Sequence, residues 1–226
     1  MSASASGILA SGLIVSCQAR AVNPLHGPVH MAAMARAAEA GGAVAIRANG
    51  AIDVAAIRAA TRLPIVGIAK RWTDGFDVYI TPDIADARAI ANAGADLIAI
   101  DATPRPRDGT KLAELVHRIK TELGKPVFAD ISTVEEGIEA ARLGCDVVAT
   151  TLSGTTPYSP RLPGPDLALV RALAAGLDVP VVAEGRFWTP EEVAQAFALG
   201  ARAVVIGTAI TNPREITSRF VRAVPA

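Results

Sequence analysis

The chain has 226 residues, enough for one well-cored domain, with 51% hydrophobic but only 4% aromatic residues. A core of that make-up is built from Ala, Val, Ile and Leu, which suits buried parallel strands flanked by Ala-rich helices. Lys+Arg and Asp+Glu both number 22; no net field favours nucleic acid or an anionic membrane surface, and only a local basic pocket for a small anion stays open.

The first six residues, MSASAS, are small and polar with no basic n-region, and the apolar stretch after them is broken by Ser11 and Gly12. That is not signal-peptide architecture, and no run approaches the roughly 18 apolar residues of a membrane span. A cytoplasmic protein is expected, with no nucleic-acid and no membrane partner. Short Val/Ile-rich runs then recur at 13–17, 44–47, 65–70, 97–101, 127–130, 147–151, 181–184 and 204–207. They are too short for helices and are bounded by turn signals, so they predict eight strands. Amphipathic segments at 29–40, 84–93, 134–143 and 190–199 alternate with them. Thr133 before Glu135 and Glu136, and Thr189 before Glu191 and Glu192, carry helix-start chemistry. A glycine-marked helix exit recurs at Gly41-Gly42, Gly94, Gly144 and Gly200, about every second βα unit. The expected fold is α/β, a single-domain (β/α)8 barrel of the phosphate-binding type over 1–226, with an open doubly wound sheet second. Segment 71–81 breaks the rhythm with an Asp74-Gly75 turn, and reads equally as a hairpin over the barrel end or as a wall of the substrate mouth. Loop 155–165, rich in Pro and Gly, should border the same mouth. Cys17 and Cys145 fit no CxxC or disulfide framework and are expected to be buried free thiols.

Parallel barrels present the C-terminal residues of their strands at the active face. The polar candidates there are Gln18, Arg47, Lys70, Asp101, Asp130, Thr150, Thr151, Glu184, Arg186 and Thr208. After the seventh and eighth strands, the runs VVAEGR and AVVIGT each stop at a glycine, Gly185 and Gly207. Paired turns at those two places form a phosphate cradle of backbone N–H groups, which predicts a phosphorylated substrate beside Glu184. Lys70 closes an apolar strand; partial burial lowers a lysine pKa toward the general-base range. It could abstract a proton next to a carbonyl or form a Schiff base with that carbonyl, and a lysine and a carboxylate on opposite sides of one carbon can epimerise it. A structural salt bridge from Lys70 to Asp130 or Glu184 is the bland alternative. Metal catalysis is not indicated. His117 falls on an amphipathic helix, and Gly27-Pro28 between His26 and His30 spoils a ligand pair, so capping or loop roles are expected. Neither a GxSxG elbow nor a GxGxxG fingerprint occurs.

Long stretches of the chain resemble one family, the N-acylmannosamine-6-phosphate 2-epimerases. The resemblance runs in order through GLIVSCQ, NPLHG, GGAVAIRANG, PIVGIAK, ITP, DAT, ADIST, TTLSG, VAEGR and GTAIT. It implies a barrel enzyme of sialic acid breakdown that exchanges the C2 proton of an amino-sugar phosphate with no metal or organic cofactor. By the same resemblance Lys70 and Glu184 are the acid–base pair, and Gln18, Arg47, Asp130 and Thr151 contact the substrate. Gly185, Arg186, Gly207 and Thr208 match the phosphate turns, Lys70 and Arg47 are candidates to stabilise a developing oxyanion, and a homodimer is suggested. One departure stands out. Where the family commonly reads Ile-Thr-Arg-Pro, this chain reads Ile210-Thr211-Asn212-Pro213. Asn212 has no guanidinium fork for a dianion, so weaker or rearranged phosphate binding is expected, with Arg186 or Arg214 as compensating cations. The competing functions are an aldolase-like Schiff-base lyase using Lys70 and a non-catalytic sugar-phosphate sensor.

Overall fold

The strands predicted from alternation are all present, in a computed structural model that describes residues 7 and 9–225. They are β1 (Gly12–Cys17), β2 (Ala45–Asn49), β3 (Ile65–Ile68), β4 (Leu97–Asp101), β5 (Val127–Asp130), β6 (Val147–Ala149), β7 (Val181–Glu184) and β8 (Ala203–Ile206). Each pairs in parallel with its sequence neighbour, and β8 returns to β1, so the sheet closes into a barrel. The open doubly wound alternative is thereby excluded. Helices α1 (Pro28–Ala40), α2 (Ala51–Ala60), α3 (Ile84–Asn92), α4 (Leu112–Glu122), α5 (Val134–Arg142), α6 (Leu167–Gly176) and α7 (Pro190–Ala198) follow β1 to β7 in turn. After β8 come a single turn, α8 (Thr208–Thr211), and α9 (Pro213–Val221).

The period of two along a strand sorts the core into layers. Ile14, Ala45, Val66, Leu97, Phe128, Val147, Val182 and Ala203 belong to the cluster that fills the barrel. Their neighbours Val15, Ile46, Ile65, Ile98, Val127 and Val148 pack outward against helices. Cys17 and Cys145 are both buried free thiols of that outer layer, and burial pushes each thiol up to about 12. Capping boxes form at Thr133 with Glu136 and at Thr189 with Glu192, as the sequence pattern requires.

Two predicted strands end early. β3 stops at Ile68 because the next backbone N–H groups turn to side chains: Ala69 N donates to Thr81 Oγ1 (3.0 Å) and Lys70 N to Asn49 Oδ1 (2.9 Å). β6 stops at Ala149, where the chain turns into the loop before α6. Segment 71–81 serves both roles foreseen for it. It doubles back, with Lys70 bridged antiparallel to Ile80 and Arg71 N donating to Tyr79 O at 2.9 Å. Ile80, 2% exposed, plugs the barrel, while Trp72 stacks on Tyr79 with ring centroids 5.4 Å apart and borders the mouth. No helix among the described residues is long and apolar enough to cross a membrane.

Candidate active site

The apolar filling of the barrel ends on every strand at its C-terminal end. Two residues beyond the last inward apolar side chain stand Ser16, Arg47, Lys70, Asp101, Asp130, Thr151, Glu184 and Gly207. Alternation therefore turns seven polar side chains and one glycine toward the axis, at the C-terminal face. They do not all meet. Asp101 is fully buried and occupied by Arg105 (2.6 Å) and Thr103 Oγ1 (2.6 Å), a clamp on the loop after β4.

The centre of the ring is a buried ion cluster. The Arg47 guanidinium, 1% exposed, donates to both oxygens of Asp130, at 2.9 Å and 2.5 Å, and through Nη1 to Glu184 Oε2 at 2.7 Å. Thr151 Oγ1 lies 2.5 Å from Asp130 Oδ1 and 3.1 Å from Glu184 Oε2, bridging the two carboxylates. The Phe128 ring lies under the guanidinium, 5.3 Å from centroid to Cζ. Burial opposes the charge on Arg47, but Asp130 and Glu184 more than offset it and hold its pKa above the ordinary arginine value. Arg47 is thus a fixed cation with two anionic partners.

Above the cluster opens a cavity of about 1050 Å³ whose wall includes Gln18, Asn49, Lys70, Trp72 and Glu184. Lys70 and Glu184 consequently face one space. Because Arg47 takes both carboxylates, Lys70 has no salt bridge among the described residues. Burial, then the Arg47 cation, lowers its ammonium to about 8, despite the opposing pull of Glu184. Burial raises Glu184 to about 7, with Arg47 pulling it down and Asp130 pushing it up. Both shifts bring the two groups toward the neutral range in which general acids and bases work. Gln18 donates through Nε2 to Ser16 Oγ at 2.8 Å, while its buried Oε1 has no partner.

The other end of the cavity is bordered by Gly185, Arg186, Gly207, Thr208, Thr211 and Asn212. The N–H groups of Gly185, Arg186 and Thr208 have no acceptor among the described residues, leaving them free for an anion. Several expected contacts fall elsewhere. Arg47, Asp130 and Thr151 lie behind Glu184 rather than on the cavity wall, because the pairing of Arg47 with both carboxylates turns these groups on one another. Arg186 contributes its backbone, but its guanidinium turns away. It donates through Nε to Gly164 O (2.7 Å) and through Nη1 to Ser153 O, on a main chain held at φ 61°. His26 makes a loop contact, Nδ1 to Ala19 O at 3.0 Å. Among the described residues no group of three His, Cys, Asp or Glu side chains is placed to hold a metal ion. Asn49 and Trp72 join the site without having been singled out; Asn49 is the next inward residue after Arg47, a signal that alternation carried.

A closed parallel barrel whose C-terminal face opens one cavity onto a lysine, a glutamate and backbone N–H groups without acceptors among the described residues has the layout of a barrel enzyme. Residues 31–226 match the NanE family, described as "Putative N-acetylmannosamine-6-phosphate epimerase", and the chain belongs to that family. It is 54% identical to the "Putative N-acetylmannosamine-6-phosphate 2-epimerase" of Caldanaerobacter subterraneus subsp. tengcongensis over 215 residues, covering 94% of this chain and 91% of the relative. It is 48% identical to the protein of the same name from Cutibacterium acnes, over 94% of this chain and 93% of that one. Among solved structures, the N-acetylmannosamine-6-phosphate 2-epimerase from Clostridium perfringens superposes with a TM-score of 0.93 at 45% identity, covering 96% of this chain and 95% of that chain.

Proposed function

We propose that the chain interconverts N-acetylmannosamine 6-phosphate and N-acetylglucosamine 6-phosphate by exchanging the proton on C2 of the opened sugar. The observation that carries this reading is the opening of Lys70 and Glu184 into one cavity that ends in unpaired backbone N–H groups. The C1 aldehyde acidifies the C2 proton. One member of the pair removes it, and the other returns a proton to the opposite face. Arg47, Asp130 and Thr151 act through Glu184, fixing its rotamer and keeping its pKa near neutrality. Gln18, with its unpartnered Oε1, can accept the N–H of the acyl group. Gly185, Arg186, Gly207 and Thr208 receive the phosphate through their main chain.

Proton NMR of N-acetylmannosamine 6-phosphate with the enzyme in heavy water tests the reading. Appearance of the gluco epimer with deuterium at C2 supports it; cleavage products, or a borohydride-trapped adduct on Lys70, would support a Schiff-base lyase instead. Binding without turnover would mark a sensor. The two buried free thiols and a phosphosugar substrate fit a reducing, cytoplasmic compartment. A second copy of this chain is the proposed partner. Helix α9 buries no residue, and Phe220 and Val221 are 71% and 62% exposed, an apolar face that a homodimer would cover. Sedimentation at a monomer's mass would overturn that part.

A further inference from the structure

The proposed substrate brings a phosphate dianion to the end of the cavity bordered by Gly185, Gly207 and Thr208, and position 212 there is an asparagine. Its side-chain oxygen is occupied in holding the fold, and its amide carries no charge. Asn212 Oδ1 caps α9, accepting from Glu215 N at 3.5 Å, and also accepts from Asn23 Nδ2 at 3.3 Å, tying α9 to the loop after β1. Arg186 is also committed, with its guanidinium spent on Gly164 O, Ser153 O and Ser153 Oγ. Of the other cations on the cavity wall, Lys70 stands at the acid–base end and Arg20 lies over the Trp72 ring, 5.8 Å from its centroid. Arg214 remains. It sits in the first turn of α9, two residues after Asn212, and borders the same cavity.

We propose that Arg214 is the side-chain cation that holds the substrate phosphate in this protein, taking over what neither Asn212 nor Arg186 can supply. The claim rests on the reading that the substrate is phosphorylated. Among the described residues Arg214 pairs only with its sequence neighbour Glu215, at 3.1 Å, with the two side chains 53% and 42% exposed. An exposed pair of that kind holds an arginine weakly. A phosphate dianion offers two oxygens to the guanidinium fork, and such bidentate, charge-assisted hydrogen bonds are the stronger.

Arg214→Ala is the test, read by steady-state kinetics and by calorimetric titration of inorganic phosphate. The KM for N-acetylmannosamine 6-phosphate should rise about tenfold or more, the range lost with a hydrogen bond to a charged group. Turnover at saturation should stay within about twofold of the parent, and phosphate binding should weaken in parallel with KM. Arg214→Lys, which keeps the charge but not the fork, should fall between the two. An unchanged phosphate affinity in Arg214→Ala overturns the proposal, as does a loss in kcat at constant KM. Phosphate titration needs no turnover. A parent protein that binds phosphate yet never epimerises the sugar would sink the proposed activity while still testing Arg214.

Discussion

Replacing Arg47 by Met keeps most of the side-chain volume over Phe128 and removes the charge that two buried carboxylates share. Breaking a buried ion pair by deleting one partner costs about 3–5 kcal/mol. In a chain of this size that is a fall of about 6–20 °C in Tm. The second effect is on the chemistry. Two unit charges about 4 Å apart attract by about 4 kcal/mol at an effective dielectric of 20, equivalent to about three pH units at 1.36 kcal/mol each. Relaxation and water entry absorb much of this, so Glu184 should rise by at least about one unit from its present value of about 7. The acid limb of the pH–rate profile, followed by deuterium incorporation at C2, should move to higher pH accordingly. The sign on stability follows from the same groups. Glu184 already has a folded pKa raised above its unfolded value, and losing Arg47 raises it further, so stability is retained at low pH and lost as pH rises through the folded value. The Tm gap between parent and Arg47→Met should therefore be narrower at pH 5 than at pH 8. An acid limb that stays in place, or a gap that widens on acidification, would refute the role given to Arg47.

Lys70→Ala and Glu184→Gln should each lower kcat by at least about 100-fold, the lower range of general acid–base catalysis, with circular dichroism unchanged; activity above about a tenth of the parent in either would remove that residue from the chemistry. The pH dependence of kcat/KM in the parent should be bell-shaped, with limbs near the Glu184 value of about 7 and the Lys70 value of about 8, and a flat profile from pH 6 to 9 would contradict it. Gly154→Ala should raise KM and lower Tm together: the residue sits at φ 81°, and a Cβ there would meet Arg186 Nη1 at 2.7 Å and Pro160 O at 3.2 Å. Thermal melting and steady-state kinetics on that variant check whether the Arg186 clamp holds the phosphate turn in register.

Strand alternation made much of this site legible. Counting by twos from Ile14, Ala45, Ile68, Phe128, Ala149 and Val182 lands on Ser16, Arg47, Lys70, Asp130, Thr151 and Glu184. Eight similar strands and the late glycine turns favoured a closed barrel over an open sheet, and the return of β8 to β1 completes it. Which polar side chains would pair was not legible. Arg47 meets Asp130 and Glu184 across 83 and 137 residues of chain, and β2 is hydrogen-bonded to neither β5 nor β7. Pairing across the axis depends on side-chain reach and on Phe128 beneath, which sequence spacing does not encode. Arg186 shows a second limit. A motif places it beside a phosphate turn, but its left-handed backbone, rare for a residue with a Cβ, sends the guanidinium to the loop before α6. Asn212 was conspicuous as a missing charge; its work as the cap of α9 appears only when Glu215 N and Asn23 are seen to share its oxygen.

Fixing Arg47 against Asp130 has a consequence for reversibility. With Arg47 held by Asp130 as well as by Glu184, the proposed proton carriers are Glu184 and Lys70, with pKa values of about 7 and about 8. The forms with carboxylate plus ammonium and with carboxylic acid plus amine hold the same number of protons and the same net charge. One is what removal of the C2 proton by the carboxylate starts from, and the other is what that step and the return of a proton by the ammonium leave behind. An epimerase must use each form as the starting point for one direction. Burial lowers the ammonium and raises the carboxylic acid, so the two forms are brought closer in free energy than they would be in water. Over one such turnover the charge lost at Lys70 offsets the charge neutralised at Glu184, so the pair as a whole keeps its net charge.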